Sequence, residues 1–436
     1  MNERYTKDDI RKIVEEEGVE FIRLQFVDIF GALKNIAITR SNLEKALDNS
    51  FEFDGTYVNG YDIDGISDMI LYPDLNSFEI FPWRPMDGKV GRLICDVYTT
   101  DGHPLSYAPR QILWNVLQRA KDQGVLCNVG PECEFFLFPM DDEGNPLFEN
   151  VEDMGYLDLG QSDVGENVRR DMVLCLEDLN FDIESSYHEK APGQHEIDFK
   201  YRDALRAADD IVTLKLAVKA ISSRHGMIAS FMPKPMDGII GSGMHVNVSL
   251  EKYGRNIFYS DDDDNSLSKT GYHFIAGVLD HLKGMSLITN PSVNSYRRLA
   301  GKKYVPNTIA FSMNGSTKTT AIRIPHIKGQ SHARIEVKNP DPLCNPYLTI
   351  ALILAAGMDG IEKKRSVDKY RYGQGDGFER LPVNLGEAIS SFSEDSFVKE
   401  VLGKHITDAF IEQKTKEWEE YLSKVSDWEI EKYLAV

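Results

Sequence analysis

The sequence predicts an α+β fold with a small N-terminal unit, residues 1–103, and a larger C-terminal unit, residues 104–436. Short strand patterns and one or two helix patterns fill the first hundred residues. The remainder contains four strands with polar side chains at alternate positions, separated by long helical segments. Since alternate residues of a strand face the same side, these strands predict one curved antiparallel sheet with a charged concave face, flanked by helices.

The N-terminal unit is predicted to begin with a capped helix and to end with a strand. Thr6 with Asp9, and Ser41 with Glu44, have the spacing of capping boxes, so each pair predicts a helix start. The stretch 51–74 is polar and punctuated by glycine, which predicts loop rather than strand. The predicted elements are a helix ending at Gly18, a hairpin of strands 19–29 and 33–38, a short helix after residue 41, the loop region 51–74 and a strand at 92–99.

The C-terminal unit is predicted to open with a helix at 109–124, which has Pro109 in its first turn. Further helices are predicted at 166–179, 203–225, 268–289 and 345–364, and the apolar tail 428–436 is typical of an interface. A single strand with alternating polar residues is usually only half-exposed, but four such strands indicate a site. Their polar residues are Glu132 and Glu134; Gln194, Glu196, Asp198 and Lys200; His245, Asn247 and Ser249; and Arg334, Glu336 and Lys338.

The composition excludes several classes of function. The 436 residues include 49 basic and 69 acidic ones, a net charge of −20, which argues against nucleic acid or an anionic membrane as the main partner. Five cysteines without CxxC spacing predict neither a disulfide framework nor a zinc–thiolate site, and they favour a cytoplasmic location. The charged N-terminus lacks the apolar core of a signal peptide, and the nearly apolar run 347–358 is too short to span a bilayer.

Acidic residues and one histidine form a candidate metal site. The simplest interpretation of Glu132 and Glu134 by themselves is a solvent-facing carboxylate pair, but further ligands lie on the other strands. Oxygen-rich ligation with one imidazole suits Mg²⁺ or Mn²⁺, and six ligands predict two ions. The six are Glu132, Glu134, Glu189, Glu196, His245 and Glu336.

Three arginines, Arg298, Arg323 and Arg334, are suited to bind phosphate or carboxylate in a bidentate manner. No Walker loop, dinucleotide-binding fingerprint or nucleophile elbow occurs in the sequence. The residues alone therefore leave two functions open, metal-dependent phosphoryl transfer and metallohydrolysis of an anion.

Motifs along nearly the whole chain resemble type I glutamine synthetase of the short form, without a recognisable adenylylation loop. The run from Ala191 to Glu196 is the most specific match. Others are Phe53-Asp54-Gly55, Gly130-Pro131-Glu132-Cys133-Glu134, Phe231 to Pro235, Gly241 to His245, Asn294-Ser295-Tyr296, Ile322 to Pro325 and Asn345-Pro346-Tyr347. The resemblance implies a β-grasp domain before a catalytic domain, ATP-dependent ligation of ammonia to the glutamate γ-carboxyl through a γ-glutamyl phosphate, and a dodecamer of two hexameric rings.

The resemblance also implies a role for each site residue. One divalent ion binds Glu134, Glu189 and Glu196, and the other binds Glu132, His245 and Glu336. The substrate glutamate meets Arg298, Gly241 and Lys338. The nucleotide meets Arg323 and Arg334 at its phosphates and lies by Asn247 and Ser249. Asp54 of a neighbouring subunit deprotonates ammonium, so Asp54, Arg298 and Arg323 are the implied catalytic residues.

The chain departs from the family pattern on its glutamate and ammonium side. Tyr304 replaces the flap glutamate, and Lys338 replaces an arginine. Further departures are Ile240, Tyr57 and the run from Asn314 to Lys318. Three hypotheses follow: a glutamine synthetase; a γ-glutamyl ligase that uses a polyamine or small alkylamine, with Tyr304 and Tyr57 in a looser acceptor pocket; or a weakly active or non-catalytic metal-binding homologue. Under the first, Asp62 or Asp64 could replace the flap glutamate.

Overall fold

The computed structural model describes residues 5–62, 67–151, 154–160, 164–301, 304–315, 317–373 and 377–436. The N-terminal unit forms a six-stranded sheet with the strand order β2-β1-β6-β4-β3, and β5 pairs with β6. Strands β1 and β6 are parallel, and the other pairs are antiparallel. The elements are α1 (Lys7–Glu16), β1 (Val19–Val27), β2 (Leu33–Thr39), α2 (Leu43–Leu47), β3 (Phe51–Asp54), β4 (Asp68–Pro73), β5 (Glu79–Ile80) and β6 (Lys89–Thr99).

Two predictions for this unit are wrong. The region predicted as loop contains β3 and β4, which pair with each other because Met69 and Leu71 alternate into the core. The predicted capping box of Ser41 is absent: the Ser41 hydroxyl lies 2.9 Å from that of Thr39, and α2 starts only after one turn of 3₁₀ helix. The capping box of Thr6 is confirmed.

The C-terminal unit is built on a ten-stranded sheet with the order β14-β15-β16-β12-β7-β9-β8, to which β10, β11 and β13 are added. All its strand pairs are antiparallel except β14 with β15. Its strands are β7 (Val125–Pro139), β8 (Ile183–His188), β9 (Gln194–Phe199), β10 (Arg202–Asp203), β11 (Met227–Ser230), β12 (Met244–Lys252), β13 (Arg255–Asn256), β14 (Thr308–Met313), β15 (Thr320–Ile324) and β16 (Ile335–Val337). The four polar-alternating strands of the prediction are β16, β12, β7 and β9, which are consecutive neighbours.

Helices complete this unit. The helix α8 is apolar on all sides and almost fully buried, whereas α11 at the end of the chain is exposed. Among the described helices, none combines the length and the apolar character that a membrane span requires. The helices are α3 (Pro109–Asp122), α4 (Gly165–Asp178), α5 (Ala204–Arg224), α6 (Lys269–Thr289), α7 (Val293–Leu299), α8 (Pro346–Glu362), α9 (Leu385–Glu394), α10 (Ser396–Ser423) and α11 (Asp427–Tyr433).

A buried arginine joins the two units. Arg110 at the start of α3 donates to Asp96 of β6 at 2.7 Å and to Asp74, just after β4, at 2.7 Å. Its other two contacts, both 3.1 Å, reach the two carboxylate oxygens of Asp209 on α5. One guanidinium group therefore links two carboxylates of the N-terminal unit to one of the C-terminal unit, beside neutral contacts such as that of Asn345 Nδ2 with the Ile29 carbonyl at 3.0 Å.

We expect Arg110→Met to destabilise the fold strongly, because it leaves three carboxylates in a buried junction without their shared cation. Removing one partner of a buried ion pair costs about 3–5 kcal/mol. The midpoint of urea unfolding measures the loss. Arg11→Met is the matched control, since it removes an exposed arginine that also bridges carboxylates, Asp8 and Glu44. Equal unfolding midpoints for the two variants would contradict the role of Arg110.

Candidate active site

The register of the central strands places the predicted ligands side by side. On β7, Glu132 lies opposite His245 of β12, and Glu134 lies opposite Glu196 of β9. On the far side of β12, Glu336 of β16 lies opposite Asn247. The alternation that the sequence shows along each strand therefore becomes a continuous polar face across four strands.

Three buried carboxylates, Glu134, Glu189 and Glu196, form what we call the Glu134 cluster, whose ligand oxygens all lie within 4.8 Å of one another. The Oε2 atom of Glu134 accepts hydrogen bonds from Gln194 Nε2 and the Gly243 amide, both at 2.8 Å. Glu196 Oε2 accepts from the Tyr187 hydroxyl at 2.9 Å. Glu196 Oε1 is buried without a hydrogen-bond partner among the described residues, so one oxygen of this carboxylate is left for a cation.

Repulsion and burial perturb these groups strongly. Burial, followed by the charge of Glu189, raises the pKa of Glu134 to about 7. Burial and the charge of Glu134 raise the pKa of Glu196 well above its usual value. The raised pKa values of Glu134 and Glu196 show that their charged forms are disfavoured in this arrangement, which a bound cation would stabilise.

The second group, the His245 cluster, comprises Glu132, His245 and Glu336. The Nδ1 atom of His245 lies 3.3 Å from Glu132 Oε2 and 3.4 Å from Glu336 Oε1. Burial lowers the pKa of His245 to about 3, which keeps the imidazole neutral and leaves a ring nitrogen lone pair for a metal.

A line of hydrogen bonds connects the His245 cluster to two of the predicted arginines. Arg323 Nη1 donates to Glu336 Oε2 at 2.8 Å. On the other side, Asn247 Nδ2 donates to Glu132 Oε1 at 2.8 Å, and Asn247 Oδ1 accepts from Arg334 Nε at 3.2 Å. Both guanidinium groups are thus held in place by the ligand carboxylates or their partners.

The third arginine, Arg298 on α7, is buried against the Glu134 cluster. It donates to the backbone oxygens of Asn339 at 2.7 Å and Lys338 at 3.1 Å. A Cβ atom at Gly243 would lie 2.6 Å from Arg298 Nη2, so only glycine permits this approach. Close by, burial lowers the pKa of Lys338 to about 8, and its Nζ donates to the Lys318 carbonyl at 3.3 Å.

A cavity of about 410 Å³ opens at the other end of the same polar face. Ser249 of β12 and Asn128 of β7 face each other in the strand register and line it. Asn128 is four residues from Glu132 along β7, a distance of about 13 Å in a strand. The remaining lining residues are Tyr201, Leu250, Glu251, Gly254, Asn256, Gln330 and Ser331.

Comparison with known proteins identifies the family. Residues 18–100 match the β-grasp domain of glutamine synthetase, and residues 106–433 match its catalytic domain. The chain belongs to the glutamine synthetase family. It is 50% identical to the glutamine synthetase of Clostridium saccharobutylicum over 99% of both chains, and 48% identical to that of Staphylococcus epidermidis over 99% of this chain and 98% of the other.

A solved structure agrees with this family fold. The ligand-free structure of GmaS is 33% identical to this chain, with a TM-score of 0.88. The match covers 98% of this chain and 100% of that structure. The expected β-grasp domain and catalytic domain of a glutamine synthetase are confirmed, as is the mixed α+β fold class. Membership also implies ATP and a divalent metal, and the two clusters fit such an ion, since five of six ligands are carboxylates and one oxygen of Glu196 is buried without a donor.

The structure assembles most, but not all, of the residues that the sequence indicated. The six predicted ligands form the two clusters. Beside them lie Arg298, Arg323, Arg334 and Asn247, and Ser249 lines the cavity. Asp54 lies in the N-terminal unit at the end of β3, where its Oδ1 accepts from the Thr56 amide at 2.9 Å. Tyr57 and Tyr304 are largely exposed within one chain. Lys303, Ser316 and Asp64 lie outside the described residues.

Several residues of the site were not predicted from the sequence. Tyr187 and Lys190 hold ligand carboxylates, and Tyr201 and Gln330 line the cavity. Asn128 was detectable, because it continues the alternation of Glu132 and Glu134 on β7. The others come from loop ends or from positions next to the motifs, where no periodicity marks them.

We expect the stability of the metal-free protein to fall as the pH rises, and we expect Glu134→Gln to reduce this pH dependence. The pKa of the Glu134 carboxyl is 4.5 in the unfolded chain and about 7 in the folded one. Its protonation therefore stabilises the fold fully below pH 4.5, and this contribution is lost as the pH rises through about 7. In EDTA, the free energy of unfolding of the variant should rise relative to that of the wild type by up to about 1.4 kcal/mol for each pH unit across this window.

Thermal unfolding between pH 5 and pH 8 measures this difference. Excess Mn²⁺ provides the control, since the bound ion should make the wild type the more stable protein at pH 8. A constant difference between the two proteins in EDTA at every pH would contradict the arrangement of the cluster.

Proposed function

We propose that this chain is a glutamate–ammonia ligase that forms glutamine at the expense of ATP, through a γ-glutamyl phosphate. The observation that carries the proposal is the position of two ligand clusters on a polar face that leads directly into a cavity of about 410 Å³. A nucleoside triphosphate bound in the cavity would extend its phosphates about 13 Å along β7 to reach the clusters. The relatives at 48–50% identity that carry the name glutamine synthetase support the same reaction.

The Glu134 cluster would hold one Mg²⁺ or Mn²⁺ ion, and the His245 cluster would hold a second. When bound, divalent ions supply positive charge that neutralises a phosphoryl group during transfer. Gln194, Gly243 and Tyr187 orient the carboxylates of the first cluster, while Arg323 and Asn247 orient those of the second. This preorganisation lowers the cost of rearrangement when charge develops in the transition state.

The three arginines divide between the two substrates in this proposal. Arg334 and Arg323 meet the nucleotide phosphates, since both lie next to the His245 cluster, and Asn247 and Ser249 lie between the clusters and the cavity. Arg298 binds the substrate glutamate together with Gly241 and Lys338, on the side of the Glu134 cluster. In these positions Arg298 and Arg323 neutralise the carboxylate and phosphate charges that would otherwise keep the reactants apart.

Completion of the site requires a second subunit. Asp54 would act as the base for ammonium from the N-terminal unit of a neighbour, and its exposure on β3 agrees with that role. The exposed apolar tail, which includes Trp428, Leu434 and Val436, supports an assembly in which subunits cover one another. We propose the dodecamer of two hexameric rings as that assembly.

Two further assignments are part of the proposal. The domain boundary between residues 103 and 104 falls between the two matched family segments and shortly before the Arg110 junction. A cytoplasmic location agrees with five cysteines that are all free thiols. The organic-amine and non-catalytic alternatives find no support in the comparisons.

We expect phosphate release from ATP and glutamate to depend on ammonium more strongly than on methylamine, ethylamine or putrescine, judged by kcat/KM. Tyr304→Glu should lower the KM for ammonium about fivefold, because a partly exposed charge pair is worth about 1 kcal/mol. Tyr304→Phe is the control, since it retains the ring and adds no charge. A preference for an alkylamine would establish the second hypothesis, and no turnover with any acceptor would establish the third.

We expect the wild-type chain to be a dodecamer in solution, and deletion of residues 428–436 to shift it toward smaller assemblies. Light scattering at micromolar concentration gives the mass of both proteins, and circular dichroism verifies that the truncated chain is folded. A folded wild-type monomer with full ligase activity would show that no neighbouring Asp54 is needed.

A further inference from the structure

Lys190 brings a full positive charge into contact with the Glu134 cluster. Its Nζ donates to Glu189 Oε2 at 3.0 Å, while 47% of the lysine side chain remains exposed to solvent. The sequence predicts no role for this residue, because it lies on none of the four polar-alternating strands. The proposed metal chemistry gives it none either, because an ammonium group cannot bind a metal ion.

The three carboxylates of the cluster are held in the same way but by different kinds of donor. In each of them Oε2 accepts hydrogen bonds from the protein. The donors to Glu134 and Glu196 are an amide side chain, a backbone amide and a phenol, all neutral. The donor to Glu189 from the Lys190 side chain is charged, so it changes the electrostatic potential of the cluster as well as its geometry.

The geometry of Glu189 does not depend on that charge. The backbone amide of Lys190 also donates to Glu189 Oε2, at 2.9 Å. A substitution that removes the ammonium group therefore leaves one hydrogen bond that orients the carboxylate. The charge and the orientation can be separated by experiment, which is uncommon for a residue this close to a metal ligand.

An aromatic ring holds the ammonium group at the edge of the cluster. Lys190 Nζ lies 4.7 Å from the centre of the Tyr156 ring, within the range of a cation–π contact. The Tyr156 ring in turn packs edge-on against Tyr187, with centroids 5.8 Å apart, and Tyr187 is the donor to Glu196. Lys190 is thus positioned by two independent contacts and is not a freely moving surface lysine.

We propose that Lys190 is a tethered counter-ion of the Glu134 cluster, which holds the three carboxylates together in the metal-free protein and limits how tightly they bind a divalent ion. The proposal rests on the metal assignment made above. A positive charge in contact with Glu189 offsets part of the repulsion among the carboxylates before an ion arrives. The same charge repels the ion once it is bound, so the cluster binds divalent ions less tightly and releases them more readily than three uncompensated carboxylates would.

The test is calorimetric titration with Mn²⁺ in the absence of ATP and glutamate, so that it requires no turnover. Lys190→Met should bind Mn²⁺ about tenfold more tightly, because the variant lacks the positive charge that opposes the ion beside Glu189. Lys190→Arg, which retains the charge, should stay within about twofold of the wild type. Lys200→Met is the matched control, because Lys200 forms a similar pair, 2.8 Å from Asp182, and is similarly exposed at 53%.

The direction of the change separates the counter-ion role from a structural one. If Lys190 only positioned Glu189, Lys190→Met would weaken Mn²⁺ binding, and that result would overturn the proposal, as would an unchanged affinity. The gain in affinity should shrink as the salt concentration rises from 0.05 to 0.5 M, because Lys190 is partly exposed and its charge is screened (roughly a 10 Å screening length at 0.1 M).

A failure of the metal assignment gives a distinct result. A wild-type chain that binds no Mn²⁺ would overturn both the metal site and the role of Lys190. Normal binding of two ions together with an unaltered Lys190→Met affinity would overturn only the latter. Loss of ligase activity in a variant that binds Mn²⁺ tenfold more tightly leaves the counter-ion role supported and bears on the proposed reaction alone.

Discussion

Mutual repulsion among buried carboxylates is the constraint on which the rest of this structure depends. Glu134, Glu189 and Glu196 lie within 4.8 Å of one another in the interior, where each charge costs free energy and each neighbour adds to the cost. Such a group remains in place only if the scaffold holds it. Here the scaffold is a pair of antiparallel strands, β7 and β9, whose register sets Glu134 directly opposite Glu196 and cannot slip by one residue without reversing every side chain.

The protein compensates for this repulsion in two ways. Neutral donors such as Gln194 and Tyr187 hydrogen-bond to one oxygen of a carboxylate and fix its orientation. Two cations lie nearby. Arg298 donates to two backbone oxygens, and Lys190 is shared between Glu189 of the cluster and the ring of Tyr156. Part of the repulsion among the carboxylates is thereby offset by groups of the protein itself.

A second group of three carboxylates lies at the junction of the two units, and there a single cation contacts all of them. One guanidinium group, that of Arg110, serves Asp74, Asp96 and Asp209. Asp74 follows β4 and Asp96 lies on β6, whereas Asp209 lies on α5, so this one side chain connects the N-terminal sheet to a helix of the C-terminal unit.

The sequence by itself determined the fold class and the strands of the polar face, and it indicated the six candidate ligands as a set. Period-two alternation is a local property, so Glu132 with Glu134, or His245 with Asn247, reveal their common face without any knowledge of the tertiary structure. The motifs around Gln194 were specific enough to indicate the family. The loop prediction for 51–74 was wrong, since this stretch is polar and rich in glycine but contains β3 and β4. These strands are stabilised by pairing, β3 with β4 and β4 with β6, which no local pattern reveals.

The family resemblance implied how the six residues divide into two clusters, but only the tertiary structure decided which side chains support each cluster. Lys190 and Tyr156 are more than thirty residues apart, and Arg323 meets Glu336 only because β15 pairs with β16. The cavity beside Ser249 is formed by strands and loops whose order in space differs from their order in the chain. Charge–charge and cation–π contacts depend on distance in space, and distances between distant parts of a chain are set by the packing of its sheet rather than by any local pattern.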